Sequence, residues 1–543
     1  MKRVIGSLLV GGLLAALSTT ACGDRPEVYD EAVAANAESF ALTNRVAVLD
    51  KAANRVAMLV PVADAKLDRS FVGIGKNAVR AEVAPDGKRL FVLAAGDVPR
   101  RKDKNEKASL TVLDDAGGSR RYALESPHSG FAIDPQGRYV ALFASPDGGG
   151  GQTAFVENPN EIVIIDLENP DLAAAVTPRT LRSFGGTPQR VSFTSPLSLP
   201  GGSRRLLVVE TDQDVHLLDL DNIRAVPRRP EITVRLTSGS STQALRPAAI
   251  VVDDGDPARS DDARIGIRVS NAPSVFTLTL VPATPGQTSE EPDTVPNDFR
   301  PEVNLTEVGG IPGDIVFVRT DLGLRLAAVV PSTRRVVLFD PTTSITNEVD
   351  VNGTFSRISL ITNVVSSPSG TDTALLFGAN GSQGVAFLSL GKAVGQTYRT
   401  VEVVSLASAI DEVRDVPPPR PELKVLEGTA NGFFVLNLAS RTAAPLITLQ
   451  QPSIHVARDG QRLWAFRRNS AELAEVTLDN LHPVPLTLDR PISQVYDLAR
   501  ADGGRSLIAL DLRGSVGATV LDALAPETTA SHSYYGLMLE GLQ

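Results

Sequence analysis

Cysteine is all but missing from this chain. Cys22 is the only one among 543 residues, so no disulfide can form within the chain and its stability has to come from a packed core. Basic patches are missing too. The net charge is −10, and the one short basic run, Arg100-Arg101-Lys102-Asp103-Lys104, has its charge mixed by Asp103 and Glu106. An acidic chain without a cationic face has little to offer nucleic acid, and no nucleic-acid partner is expected. Histidine is scarce: His128, His216, His455, His482 and His532 include no two at metal-ligand spacing, and no cysteine can complete a set. The Gly-x-Ser-x-Gly turn of a hydrolase elbow does not occur, although spacing does not exclude a Ser-His-Asp triad assembled from distant residues. Amphipathic helical periodicity is nearly absent. Residues 27–39, rich in alanine and acid, are the one stretch that suggests a weak helix or an unordered tether.

What is present begins with an export signal. Lys2 and Arg3 open it, an apolar run over residues 4–17 follows, and Ser18-Thr19-Thr20-Ala21 supply small residues for cleavage. The run is short of the ~20 apolar residues a membrane-spanning helix needs. Ala21-Cys22-Gly23 resembles the lipobox of bacterial lipoproteins, with Thr19 where leucine is most often found. The resemblance implies a signal peptide over 1–21 and a mature protein beginning at an acylated Cys22. Several acyl chains on one cysteine would anchor it stably. Gly23 in place of aspartate implies the outer membrane under the enterobacterial sorting rule, on its periplasmic or its cell-surface face. The alternative is a soluble exported protein whose single cysteine falls at that position by chance.

A repeated unit fills the rest. A short strand-like run leads into a turn and then a second run. Ala84-Pro85-Asp86-Gly87 precedes Leu90-Phe91-Val92, Asp134-Pro135-Gln136-Gly137 precedes Val140-Ala141-Leu142, and Ala457-Arg458-Asp459-Gly460 precedes Leu463-Trp464-Ala465. Ser367-Pro368-Ser369-Gly370 and Ala501-Asp502-Gly503-Gly504 are variants. Proline presets φ, aspartate bonds its own backbone and glycine takes the left-handed position. A second marker follows, an apolar run ending in a small polar residue: Asp114, Asp166, Asp219, Asp340, Ser389, Asn437, Asp479 and Asp522. Gly (44) and Pro (37) are spread along the chain as many turns require.

Four antiparallel strands per unit predict the blade of a β-propeller. The pattern resembles the YVTN and WD40-like propeller repeats of bacterial extracytoplasmic proteins, without the Trp-Asp dipeptide of strict WD40 strands. Blades are expected to start near residues 81, 131, 191, 248, 314, 357, 410, 453 and 493. The starts near 191, 248, 314 and 410 lack an Asp-Gly turn, and propellers have typically four to eight blades. The expectation is therefore an all-β chain forming a single closed β-propeller of about eight four-stranded blades, with seven or nine as alternatives. A signal at 1–21, a lipidated Cys22 and flexible tether at 22–44, and a propeller domain at 45–543 make up the expected organisation. The runs Arg45-Val46-Ala47-Val48-Leu49 and Arg55-Val56-Ala57-Met58-Leu59 look like the outer half of a blade that C-terminal strands would complete, closing the ring. Two smaller propellers, divided at the acidic Pro-rich stretch 281–304, are the competing reading.

Candidate sites are few. Asp253, Asp254, Asp256, Asp261 and Asp262 are weak calcium ligands, since calcium favours several carboxylates from one loop; a solvated acidic loop is the simpler reading. Gly378-Ala379-Asn380-Gly381-Ser382-Gln383-Gly384 mimics a phosphate loop but has no following helix, and reads as a hairpin turn. The segment 416–421, Val-Pro-Pro-Pro-Arg-Pro, is a docking segment or a stiff inter-strand linker. His216, in Val215-His216-Leu217-Leu218, reads as structural. No catalytic residue can be named and no cofactor is expected. A binding or scaffolding propeller for a protein or glycan partner is the leading reading, and an enzyme is the less favoured one. The enzyme alternative is a lactonase- or lyase-like propeller acting on extracytoplasmic sugars, with His, Asp, Glu or Arg gathered at the mouth of a channel. A role in envelope assembly is a third reading, resting on fold analogy alone.

The lipid anchor makes a direct prediction. Cys22→Ser blocks acylation, so the variant takes up no fatty-acid label and leaves the membrane fraction. Membrane retention of an unlabelled Cys22→Ser protein would refute the assignment.

Overall fold

Where the described residues carry Pro-Asp-Gly or Asp-Gly, the chain reverses between two strands. At 84–89 the Gly87 amide donates to the Ala84 carbonyl (2.8 Å), and the Asp86 carboxylate accepts from the Lys88 amide (2.9 Å). Asp134–Tyr139 and Ala457–Arg462 close in the same way. Gly87, Gly137 and Gly460 hold φ of 71°, 77° and 65°, the left-handed region that favours glycine. The second marker has its own cause. Asp219 Oδ1 accepts from the amides of Asp221 and Asn222 (3.1 and 3.2 Å), and Asp340 and Asn437 do the same for residues two and three positions on. The polar residue ends the third strand by giving the backbone an alternative partner. After Leu478 that task falls to Asn480, which accepts from the His482 amide at 2.9 Å.

The computed structural model describes residues 37–97, 105–145, 158–182, 186–237, 245–286, 294–361, 371–430, 432–450, 452–527 and 531–539. Signal residues 1–21, Cys22, the basic run 100–104 and the turn 367–370 lie outside them. The described chain forms ten antiparallel sheets of four strands, each strand paired with the next in order. These are blades of a β-propeller fold. Blades 1 to 5 span 38–73, 78–124, 130–180, 188–235 and 247–307; blades 6 to 10 span 314–350, 357–405, 410–446, 453–492 and 494–534. Blade 4 carries an extra hairpin, Leu197–Leu199 with Gly202–Arg204, between its first two strands. The only α-helix among the described residues is one turn, Leu172–Ala175, capped by Asp171.

Ten blades replace the expected eight. All nine starts read from the sequence are first strands, including those without an Asp-Gly turn. The tenth begins at Glu38–Ala41, inside the stretch expected to be tether. It pairs with Val46–Asp50, so the N-terminal hairpin is the interior of a complete blade and not half of one. The C-terminal blade is likewise complete within 494–534. Nor does 281–304 divide domains: it joins and partly forms the adjacent strands Ser274–Pro282 and Phe299–Glu307 of blade 5.

The described residues instead form two compact units, one of 37–73 with 489–539, the other within 74–488. In the first, blades 1 and 10 share an apolar layer that includes Val46, Val48, Leu59, Ile508, Leu510 and Met538. Ser39 and Tyr496 hydrogen-bond across it at 2.9 Å. Arg69 donates to carbonyls of Gly536, Leu537 and Leu539, and its guanidinium and that of Arg55 lie over the Phe71 ring at 5.1 and 4.5 Å. In the second unit each blade from 2 to 8 packs on the next through its own apolar layer. Second and third strands are buried on both faces, as in Leu206–Thr211 and Asp214–Asp219. Fourth strands alternate exposed and half-buried residues, as in Thr346–Asp350.

One buried group is unusual. His128, on the approach to blade 3, is 1% exposed, and neither ring nitrogen has a hydrogen-bond partner. Burial pushes its pKa down to about 4, and the Glu161 carboxylate 3.8 Å away does not offset it.

The turn glycines and His128 can both be tested by unfolding. A Cβ on Gly460 would overlap the Pro417 and Pro418 carbonyls, whereas among the described residues nothing lies within 4 Å of a Cβ on Gly286. Gly286→Val, at φ 76°, should cost about 1–2 kcal/mol from backbone strain, and Gly460→Val a further ~1–3 kcal/mol from overpacking. Denaturant unfolding followed by the fluorescence of Trp464, the one tryptophan and fully buried, gives both values; equal losses would show that the Pro417 contact is yielding. His128 takes up its proton more readily unfolded, near the ordinary 6.5, than folded, near 4. Its contribution to stability is therefore intact at neutral pH and falls as pH drops from about 6.5 toward 4, by on the order of 3 kcal/mol. His128→Gln should flatten the stability profile over that window, and an unchanged acid slope would refute it.

Candidate functional site

Strand order fixes which connections share an end of each sheet. First-to-second and third-to-fourth connections lie at one end, second-to-third at the other. Neighbouring connections of the first kind are tied together among blades 3 to 5, between blades 6 and 7, and between blades 8 and 9. The Arg205 guanidinium, 6% exposed, reaches back to Asp134 (2.8 Å) and Gln136 (2.8 Å) in the turn of blade 3. Arg204 pairs with Asp219 of its own blade at 3.2 Å and with Asp298 of blade 5. Arg229 joins the same Asp298 (2.9 Å), and the carbonyl of its neighbour Arg228 accepts from the Val295 amide (2.9 Å). Burial opposes ionisation of Asp298, but the two guanidiniums hold its carboxyl below the usual range. Arg399 meets Asp321, and Arg420 meets Asp479, across the next blades.

This stitched end also exposes apolar side chains. Leu172, Val226, Ile345, Val394 and Tyr398 all stand in third-to-fourth connections, of blades 3, 4, 6 and 7. Leu322 is in the first turn of blade 6. Val226 and Val394 are 97% and 104% exposed. At the opposite end of blades 2 to 9 the described residues expose Ile311 and Ile447.

A second feature is a belt of charge on the inner strands. Arg190 is on the first strand of blade 4, with Glu210 on the second; Arg268 is on the second strand of blade 5; Asp314 and Arg357 are on the first strands of blades 6 and 7. Burial raises the pKa of Glu210, against the pull of Arg190 and Arg268. Burial also raises that of Asp314, against amide hydrogen bonds from Ile358 and Ile315. Burial lowers that of Arg268. Such shifted groups in one place are what ligand recognition or proton transfer uses. No sequence pattern marks them, because each is one charged residue in an ordinary strand.

The residues singled out in the sequence are placed apart from this belt. Asp253 pairs with Arg264 (3.7 Å) and Asp261 with Arg259 (3.2 Å). Asp262 accepts from the Asp256 amide (3.1 Å), and Asp256 from the Ala258 amide (2.9 Å). Among the described residues no three His, Cys, Asp or Glu side chains are grouped to hold a metal. His216 is fully buried, its Nε2 3.1 Å from Asp214 and its Nδ1 3.0 Å from the Thr233 hydroxyl. His455 and His532 lie in strands of blades 9 and 10, and His482 in a turn. Residues 416–421 link the first two strands of blade 8, and 378–383 the middle strands of blade 7.

No protein-family model matches the chain, and no curated protein matches it either. Among solved structures, the dihydro-heme d1 dehydrogenase NirN in complex with DHE aligns at 12% identity and a TM-score of 0.40, over 70% of this chain and 72% of that one. BBS1N in complex with ARL6DN aligns at 11% identity and 0.33, over 66% and 90%. Sqt1 of Saccharomyces cerevisiae aligns at 10% and 0.38, over 73% and 97%. These low-scoring likenesses, to proteins unlike one another, assign no chemistry to this chain.

Proposed function

We propose that this protein is a lipid-anchored envelope scaffold of the YVTN/WD40-like propeller type, which docks a protein partner on the turn end of blades 3 to 7. The anchor would be the acylated Cys22, and the outer membrane its site. The observation that carries the docking role is the gathering of Leu172, Val226, Leu322, Ile345, Val394 and Tyr398 in connections at one end. Single exposed apolar residues are ordinary; a set presented at one end, in connections of blades 3, 4, 6 and 7, is what an interface core needs. Asx turns and cross-blade ion pairs fix the connections, which lowers the ordering cost of binding. Apolar chemistry favours a protein partner over a glycan.

Site-specific photo-crosslinking in the protein's own membranes tests this. Crosslinkers placed at Ile345 should capture a partner severalfold more efficiently than those at Ile311 or Ile447, and Val394→Ser with Tyr398→Ser should abolish the Ile345 adduct. Equal capture at both ends, no adduct at either, or an adduct indifferent to the double substitution would overturn the proposal.

A further inference from the structure

The inner-strand belt is not used by the docking surface, and most of its groups are already engaged. Arg190 stands 4.0 Å from Glu210 and donates to the Ala248 carbonyl at 3.3 Å. Arg268 donates to that same carbonyl (3.3 Å) and to the Pro312 carbonyl (3.2 Å), so it bridges blade 5 to the approach of blade 6. Asp314 accepts from the Ile315 amide with one oxygen (2.9 Å) and from the Ile358 amide with the other (3.1 Å). Arg357 is different. It is exposed, next to Ile358, and among the described residues its guanidinium has no hydrogen bond and no ion pair.

Three guanidiniums therefore share the belt with two carboxylates, in a chain whose net charge is −10. Arg190 and Arg357 each act on Arg268 as like charges. The carboxylates are committed elsewhere: both oxygens of Asp314 accept backbone amides, and buried Glu210 stands 4.0 Å from Arg190. A bound anion would relieve it directly, and the planar fork of arginine matches the two oxygens of a carboxylate or phosphate.

We propose that Arg357, with Arg268 and Arg190 behind it, binds an oxyanion, the carboxylate of an acidic sugar or a phosphate group, on the inner strands of blades 4 to 7. Calorimetric titration of the full-length protein in detergent, at neutral pH and low salt, tests it with trigalacturonate and with inorganic phosphate. The wild-type protein should bind at least one at millimolar concentration or below, and which one binds identifies the source of the anion. Arg357→Ala should weaken binding by at least about tenfold, Arg357→Lys by less, since a point charge remains but the fork is lost. Lys392→Ala, exposed in the outer connection of blade 7, should change nothing, and the melting temperature should be unmoved in all three. Wild-type protein that binds neither probe, or an Arg357→Ala variant that binds as tightly, would overturn the proposal. Because no partner is present in the titration, its failure leaves the docking surface untouched, and the reverse holds as well.

Discussion

Each blade has two faces to cover, and its neighbouring blades are what cover them. The second and third strands are buried on both sides, so a single blade in water would expose two apolar faces. That constraint explains the composition of these strands. Leu206-Leu207-Val208-Val209 and Val385-Ala386-Phe387-Leu388 run without alternation because neither face meets solvent. It also explains why the fourth strands do alternate: Lys66–Gly73 and Thr346–Asp350 have one face left to solvent. Stability is thus shared along the chain, and each apolar layer belongs to two blades at once.

Apolar layers alone do not fix how far one blade slides on the next. Directional contacts at the turn end do. Arg204 and Arg205 are adjacent residues that point to different neighbours, Asp298 of blade 5 and Asp134 of blade 3. Both are buried, so each is worth little against an apolar replacement of the same shape, yet losing one partner strands the other as a buried charge. Their value lies in setting register between three consecutive blades. The inner strands use the same logic with backbone acceptors, since Arg190 and Arg414 each donate to a carbonyl of the following blade, Ala248 and Ile454.

Much of this architecture is legible in the sequence itself. The Asp-Gly turns and the strand-ending Asp or Asn residues are local chemistry, set by residues within two or three positions, and they locate nine first strands. The number of blades is not legible, for two separate reasons. Glu38-Ser39-Phe40-Ala41 has one aromatic and no β-branched residue, so it looks like the end of a tether. What makes it a strand is its pairing with Val46–Asp50 and the Tyr496 hydroxyl beneath Ser39. Several starts without an Asp-Gly turn are hard to count because their first connections hold other things: the Leu197–Arg204 hairpin region in blade 4, the acidic loop in blade 5, the proline run in blade 8. The acidic loop suggests a metal site because its carboxylates are close in sequence, but Asp253 and Asp261 face arginines, and Asp256 and Asp262 accept from backbone amides.

The candidate surfaces are less legible still, and for a common reason. Strand interiors are consumed by packing, so a residue can carry recognition only where packing leaves it free, in connections or on the exposed side of first strands. Val394 and Tyr398 sit in a stretch that reads simply as a loop. Arg190, Arg268 and Arg357 are each a lone cation in an apolar run, far apart in sequence. Only the stacking of blades 4 to 7 brings them into one field, where Arg190 and Arg268 have backbone acceptors and Arg357, among the described residues, has no hydrogen bond of its own, with the charge of Asp314 nearby. Packing has already fixed two like charges behind it, and both oxygens of the nearby Asp314 are taken by backbone amides. A ligand of opposite sign is the simplest account of why the fold keeps a third cation there.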